Sequence, residues 1–131
     1  MKKLLIIVNV DWFFVSHRLA IAKQALISGY EVHIATEITD QYQLLIDSGL
    51  KVHPLKLHRS DRSFISVLKE FLSIYFVIRS ISPHVVHLVT IKPVLLGGIA
   101  SRLARVPAVV IAISGLGHIF IAKGVIAYLR K

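Results

Sequence analysis

Residues 3–9 (Lys-Leu-Leu-Ile-Ile-Val-Asn) form an almost unbroken apolar run, and shorter runs rich in β-branched residues return at 30–36, 51–55, 84–90 and 108–114. A strand with one wet face alternates polar and apolar side chains. A strand apolar at consecutive positions is covered on both faces, as in a parallel sheet held between two layers of helices. Between the runs the period changes. Val15, Leu19, Ala22 and Leu26 recur at helical spacing and Ser28-Gly29 supplies a stop. Thr39 or Asp40 heads a second helix, with Asp40 and Gln43 in capping-box register and Gly49 at its end. Phe64, Leu68, Phe71, Tyr75 and Ile78 mark one face of a third, which Ser82-Pro83 closes because the residue before a proline avoids helical ψ. Pro93 suits the first turn of a fourth helix running to about Arg105, and 119–131 read as a fifth.

Strands alternating with helices over short connections predict an α/β fold in one domain, 1–131. Right-handed crossovers make it a Rossmann-like, doubly wound parallel sheet of five strands in the order 3-2-1-4-5, with helices on both faces. Ligands of such sheets sit beyond the carboxyl ends of the strands where the winding reverses, here between strands one and four. The functional residues are therefore expected in 9–17, 90–93 and 114–118.

Composition narrows the class. Of the 131 residues 55% are hydrophobic and 18% charged, enough apolar surface to offset the entropy of ordering and to exclude intrinsic disorder. The absence of cysteine excludes a disulfide scaffold, a cysteine-ligated zinc site, an iron–sulfur cluster and a thiol nucleophile. The mean hydropathy of +0.70 raises the question of a membrane span. The longest stretch without a charged side chain, 106–122, is at the lower limit of spanning length and is broken by Pro107, Gly115, Gly117 and His118. The basic, apolar start resembles a signal peptide, but Asn9 and Asp11 cut it short and no small-residue cleavage site follows. The net charge of +9 is uneven: all seven acids lie in the first 70 residues, and 71–131 carry seven bases and no acid. Such a half attracts phosphates, nucleic acid or an acidic membrane surface.

At the expected crevice each group of residues has two readings. Thr90-Ile91-Lys92-Pro93 joins a strand end to a helix start, so free N–H groups and a lysine could hold a phosphate or diphosphate; equally, the threonine caps and the lysine is solvated. Ser16-His17-Arg18 reads as opening helix one, with His17 toward a sugar hydroxyl and Arg18 toward a phosphate, or as a plain helix cap. Asp11 beside Trp12 could orient a sugar against the indole, or Trp12 packs. Ser114-Gly115-Leu116-Gly117-His118 allows close backbone approach to a ligand, or makes a tight turn. Gly97-Gly98 inside a helix points to close packing on the sheet. His84 and His87 have metal-like spacing, but the period of a strand sends them to opposite faces. Neither a glycine-rich nucleotide fingerprint nor Gly-x-Ser-x-Gly occurs, which argues against dehydrogenases, P-loop NTPases and serine hydrolases.

Together Phe13-Phe14-Val15-Ser16-His17-Arg18, the run from Val85 through Thr90-Ile91-Lys92-Pro93, the run from Gly97-Gly98 to Val106-Pro107, and Ser114-Gly115-Leu116-Gly117 resemble the N-terminal domain of bacterial glycosyltransferases of family 4 type, which have the GT-B fold. The resemblance covers essentially the whole chain. It implies the acceptor-binding half of a two-domain enzyme whose donor-binding C-terminal domain is absent from these residues. The chain alone is then inactive. The acceptor-binding residues it implies are Asp11, Trp12, His17, Arg18, Thr90, Lys92, Ser114, Gly115, Gly117 and His118. Many members have a catalytic His-Gly pair after strand five; Ser114-Gly115 stands there, and His118 is not its equivalent, so the catalytic residue is unknown. The resemblance implies a nucleotide-sugar donor held by a missing second domain or partner chain. It also implies a lipid-diphosphate-linked glycan acceptor, used in polysaccharide, lipopolysaccharide or glycoconjugate assembly. No cofactor, metal or nucleic acid is expected; the expected location is cytoplasmic, peripheral on an anionic membrane surface at the inner face of the cytoplasmic membrane. The competing reading is a non-catalytic basic module for phosphorylated ligands or nucleic acid.

Overall fold

The computed structural model describes residues 2–55, 64–89 and 91–112, with backbone only at 91, 92 and 112. The chain runs β1 (Lys3–Val10), α1 (Asp11–His17), α2 (Leu19–Ile27), β2 (Glu31–Glu37), α3 (Tyr42–Asp47), β3 (Lys51–Pro54), α4 (Phe64–Ile81), β4 (Val85–Val89), α5 (Ile91–Leu103) and β5 (Ala108–Ala112). All pairings are parallel and the order is β3-β2-β1-β4-β5, as the winding argument requires. The predicted strand at 108–114 is described to Ala112, and the predicted helix at 119–131 lies outside the described residues.

Alternate residues of β1 enter two separate cores. Leu5 and Ile7, with Val86 and Leu88 of β4, pack against Ile74, Ile78 and Ile81 of α4 and Ala100 of α5. Leu4, Ile6 and Val8, with Val32 and Ile34 of β2, pack against Phe14 of α1, Ala22 of α2 and Leu45 of α3. Burial on both faces is why β1 carries no alternation: Leu5 through Val8 are wholly buried.

Several local expectations are corrected. The first helix is two, α1 and α2, hinged at Arg18, whose φ of −126° is not helical. The hydrogen bonding bridges the hinge, because Arg18 N–H donates to Phe14 O at 2.7 Å and Arg18 O accepts from Ala22 N–H at 3.1 Å. Ser16 and His17 therefore close α1 rather than open a helix. The capping box at Asp40 does not form: α3 starts at Tyr42, Asp40 accepts from Gln41 Nε2, and Gln43 donates to Asp47. Gly29 and Gly49 do end α2 and α3, at φ of +96° and +90°.

The inner face of α4 is the expected one only in part, since Phe71, Tyr75 and Ile78 pack on the core but Phe64 and Leu68 do not. Ser66, Glu70, Ile74, Ile78 and Ile81 are buried, with Phe71 and Tyr75 half-buried beside them. Phe64 is 80% exposed and Leu68 43%, and both continue into an exposed stripe with Leu72 and Phe76. Residues two apart on a helix lie about 200° apart, so 64/68/72/76 and 66/70/74/78 are opposite stripes. The outer stripe is wholly apolar and the buried one is half polar (Ser66, Glu70), so hydrophobicity alone favours the exposed stripe.

At the β3 edge, Lys51 Nζ donates to Glu31 Oε1 (3.2 Å), Glu31 Oε2 meets His33 Nε2 (2.7 Å), and His33 Nδ1 meets His53 Nε2 (2.9 Å). The imidazole rings are near coplanar (23°) with centroids 5.1 Å apart, so they meet nitrogen to nitrogen rather than face to face. Bonds from His33 and Lys51 hold the Glu31 carboxyl down to about 2. Burial, then the charges of His33 and Lys51, push His53 below the usual histidine range.

The glycine pair of α5 divides in function. A Cβ on Gly97 would stand 2.5 Å from Leu88 Cδ2, a wholly buried side chain, whereas a Cβ on Gly98 would meet nothing within 4 Å. Close packing explains Gly97 only. Urea titration of the two alanine variants separates them: Gly98→Ala gains about 0.5–1 kcal/mol of helix propensity, and Gly97→Ala loses about 1–2 kcal/mol through overpacking of Leu88. Equal effects would contradict the assignment.

Candidate functional site

β1 leaves the sheet into α1 on one face and β4 into α5 on the other, so their carboxyl ends flank the switch point. The end of β1 is irregular, its register with β2 shifting between Ile7 and Val10. Asn9, within that irregularity, has a buried Oδ1 with no hydrogen-bond partner among the described residues. An amide inside an apolar strand costs free energy unless it is satisfied, so Asn9 is a residue that the sequence reading passed over. Its signal was its being the one polar side chain between Leu4 and Val10.

Asp11, the first residue of α1, is wholly buried. Its Oδ1 accepts from Trp12 N–H (2.8 Å) and Thr39 Oγ1–H (2.6 Å), and its Oδ2 from Thr39 N–H (2.8 Å) and Gln41 N–H (3.0 Å). Burial alone would raise its pKa, but the bonds from Thr39, Gln41 and Trp12 outweigh burial and hold the carboxyl below its ordinary value. Both oxygens are committed inside the protein. The carboxylate serves the N-terminus of α1 and, through Gln41, that of α3. It thereby fixes the corner from which Trp12, 50% exposed, projects.

His17 lies at the C-terminal end of α1, its ring stacked on Phe13 with centroids 4.1 Å apart and planes 12° apart. Its Nδ1 lies 2.8 Å from Ser16 Oγ and 3.2 Å from Phe13 O, an arrangement suited to Nδ1–H donating to the carbonyl and leaving Nε2 as the outer nitrogen. Arg18 is half-buried, its Nε without a partner among the described residues. Its charge acts on His87 of β4: burial, then Arg18, push that imidazole below the usual range against a hydrogen bond to the Val110 backbone. His87 Nε2 is buried and also has no partner among the described residues. The structure thus brings Arg18 to β4. Among the described residues, no three His, Asp or Glu side chains are placed to hold a metal ion.

Lys92 and Pro93 lie in the first turn of α5. Thr90, Ser114, Gly115, Gly117 and His118 lie outside the described residues.

Replacing Asp11 by Asn tests its role. Whichever way the amide turns, its NH2 group meets at least one backbone N–H, so Asp11→Asn destabilises the fold by about 2–4 kcal/mol. The folded pKa lies below the ordinary 3.8, so this stabilisation is present above that pH and is lost as the pH falls through the folded value. Thermal unfolding at graded pH is expected to show the gap between wild type and variant closing in acid. A gap independent of pH would contradict the assignment.

The architecture is shared widely among solved structures. The chain is similar to MurG of Acinetobacter baumannii (19% identity, TM-score 0.69, covering 94% of this chain and 39% of that one). It is similar to a glycosyltransferase of Rickettsia africae (16%, TM-score 0.66, 86% and 29%). A C-terminal domain of a hydrogenase from Pyrococcus furiosus is also similar (14%, TM-score 0.61, 85% and 91%). At such identities the likeness establishes the fold alone, and the chain spans well under half the length of the two transferases. No curated protein matches it. The family model for "Glycosyl transferase 4-like" matches residues 3–127, nearly the whole chain, and the chain belongs to that family.

Proposed function

We propose that this chain is the acceptor-binding half of a glycosyltransferase that moves a sugar from a nucleotide donor to a glycan acceptor carried on a lipid diphosphate. The observation that carries the reading is the reversal of winding between β1 and β4, where ligands of such sheets bind, in a member of this family. In this reading Asn9, whose Oδ1 has no partner among the described residues, the half-exposed indole of Trp12 and His17 serve one side, and the first turn of α5 with Lys92 serves the other. A helix start and a lysine suit a diphosphate, and an indole with an amide suits a sugar. Thr90 and the loop from Ser114 through Gly115 and Gly117 to His118 complete the acceptor side in this reading, with Arg18 toward phosphate. Asp11 acts through Trp12 and the loop at Thr39. The nucleotide sugar is held by a second domain or a partner chain, because proximity in a shared cleft supplies much of the rate. The setting is bacterial polysaccharide, lipopolysaccharide or glycoconjugate assembly.

A peripheral place on an anionic membrane fits the outer side of α4. Phe64, Ile65, Leu68, Leu72 and Phe76 are exposed there, the exposed Lys69 and Arg79 flank them, and Glu70, the helix's one acid, faces inward. Apolar insertion beside cations is how a surface helix holds acidic lipid. Among the described residues, no helix is long and apolar enough to cross a membrane.

Titration with a short-chain prenyl-diphosphate sugar tests the acceptor site. Lys92→Ala weakens binding by about 1–3 kcal/mol, the scale of a charge-assisted hydrogen bond. Unchanged affinity in the folded variant would contradict it. Vesicle sedimentation tests the surface: phosphatidylglycerol vesicles bind in low salt and release the chain as salt rises, and Phe64→Ser with Phe76→Ser weakens the binding. Equal binding to neutral and anionic vesicles would contradict the membrane role.

A further inference from the structure

At the end of the sheet opposite the switch point, a concavity of about 230 Å³ opens between the last turns of α4 and α5. Its polar lining is Arg79, Ser82, His84 and Arg105, against an apolar wall that includes Ile78 and Val106, and no carboxylate lines it. Neither guanidinium has a hydrogen-bond or ion-pair partner among the described residues.

Two of these residues sit in the left-handed region, Ser82 at φ 53° and Arg105 at φ 58°; they are the non-glycine residues with positive φ among those described. A glycine would end either helix without steric cost, and an arginine at such a position carries strain of order 1 kcal/mol. The bland account is that arginines here neutralise helix C-termini. Three of the last four carbonyls of each helix, however, are already partnered. In α4, Ile78 O accepts from Ser82 N–H (2.9 Å), Arg79 O from Ser82 Oγ–H (3.2 Å) and Ile81 O from Lys3 Nζ (3.1 Å). In α5, Ala100, Ser101 and Arg102 oxygens accept from Ala104, Val106 and Arg105 N–H at 2.9–3.2 Å. The guanidinia are not spent on the helix ends. His84 adds a directed donor: its Nδ1 accepts from Lys3 N–H at 3.0 Å, so the neutral ring carries its proton on Nε2.

We propose that this pocket binds a small water-soluble organic phosphate, at a site separate from the acceptor crevice. Two free guanidinia and an imidazole N–H match the oxygens of a phosphate monoester, and the apolar wall takes its carbon skeleton. The volume is below the roughly 300–1,000 Å³ of drug-sized sites, which suits a phosphorylated monosaccharide.

Calorimetric titration with glucose 6-phosphate, inorganic phosphate and glucose is the test. Glucose 6-phosphate binds more tightly than inorganic phosphate, and glucose does not bind. Arg79→Ala and Arg105→Gly each weaken the sugar phosphate about tenfold or more, the scale of one lost charge-assisted contact. Arg105→Gly also raises the unfolding temperature, because it relieves the backbone strain, so its loss of binding is not a loss of fold. Lys92→Ala keeps the binding, which separates this site from the crevice. Binding lost only in Lys92→Ala, wild-type affinity in both arginine variants, or no saturable binding of glucose 6-phosphate would overturn the proposal.

Discussion

One buried carboxylate organises the functional end of this molecule. Asp11 takes four hydrogen bonds from three residues, two of them 28 and 30 positions further along the chain. It ties the exit of β1 to the loop after β2, serves two helix N-termini at once, and so sets the direction in which Trp12 leaves the surface. An ionised group in that position is stable only because every bond it would have made to water is replaced. The crevice between β1 and β4 is thus built on an ionised group that is itself closed to ligand.

The sheet was legible because its cause is local and repeated. Continuous apolar runs can exist only where both faces of a strand are covered, and short right-handed crossovers then leave one order of strands. The sites were less legible because their causes are distant. The sequence shows Asp11 beside Trp12, but not Thr39 and Gln41 folding back onto its carboxylate. His17 reads as a helix start because Ser16 precedes it; the hinge at Arg18 makes it an end. The inner face of α4 was hidden by apolar residues on both sides, and the one acid, Glu70, favoured the wrong side because it is buried. Gly97 and Gly98 look alike in sequence and differ only in whether Leu88 stands above them.

The doubly wound sheet does not decide what the chain does, since a hydrogenase domain shares it; family membership narrows the chemistry. The division of labour at the two ends of the sheet follows from helix polarity. At the carboxyl ends of the strands, helix starts offer free N–H groups to an anion. At the amino ends, helix stops offer carbonyls, and any anion site there has to be built from side chains, as the arginines around Ser82 and Arg105 are.

The central claim is that this chain holds an acceptor and not a donor. Amide spectra of the isotope-labelled chain, titrated separately with a lipid-diphosphate-linked sugar and with a nucleotide sugar, test it most directly. The account predicts saturable shifts at Val10, Asp11, Trp12 and the first turn of α5 with the former, and none there with the latter. Shifts at those residues from the nucleotide sugar alone, or transfer of its sugar by this chain without another, would contradict the account.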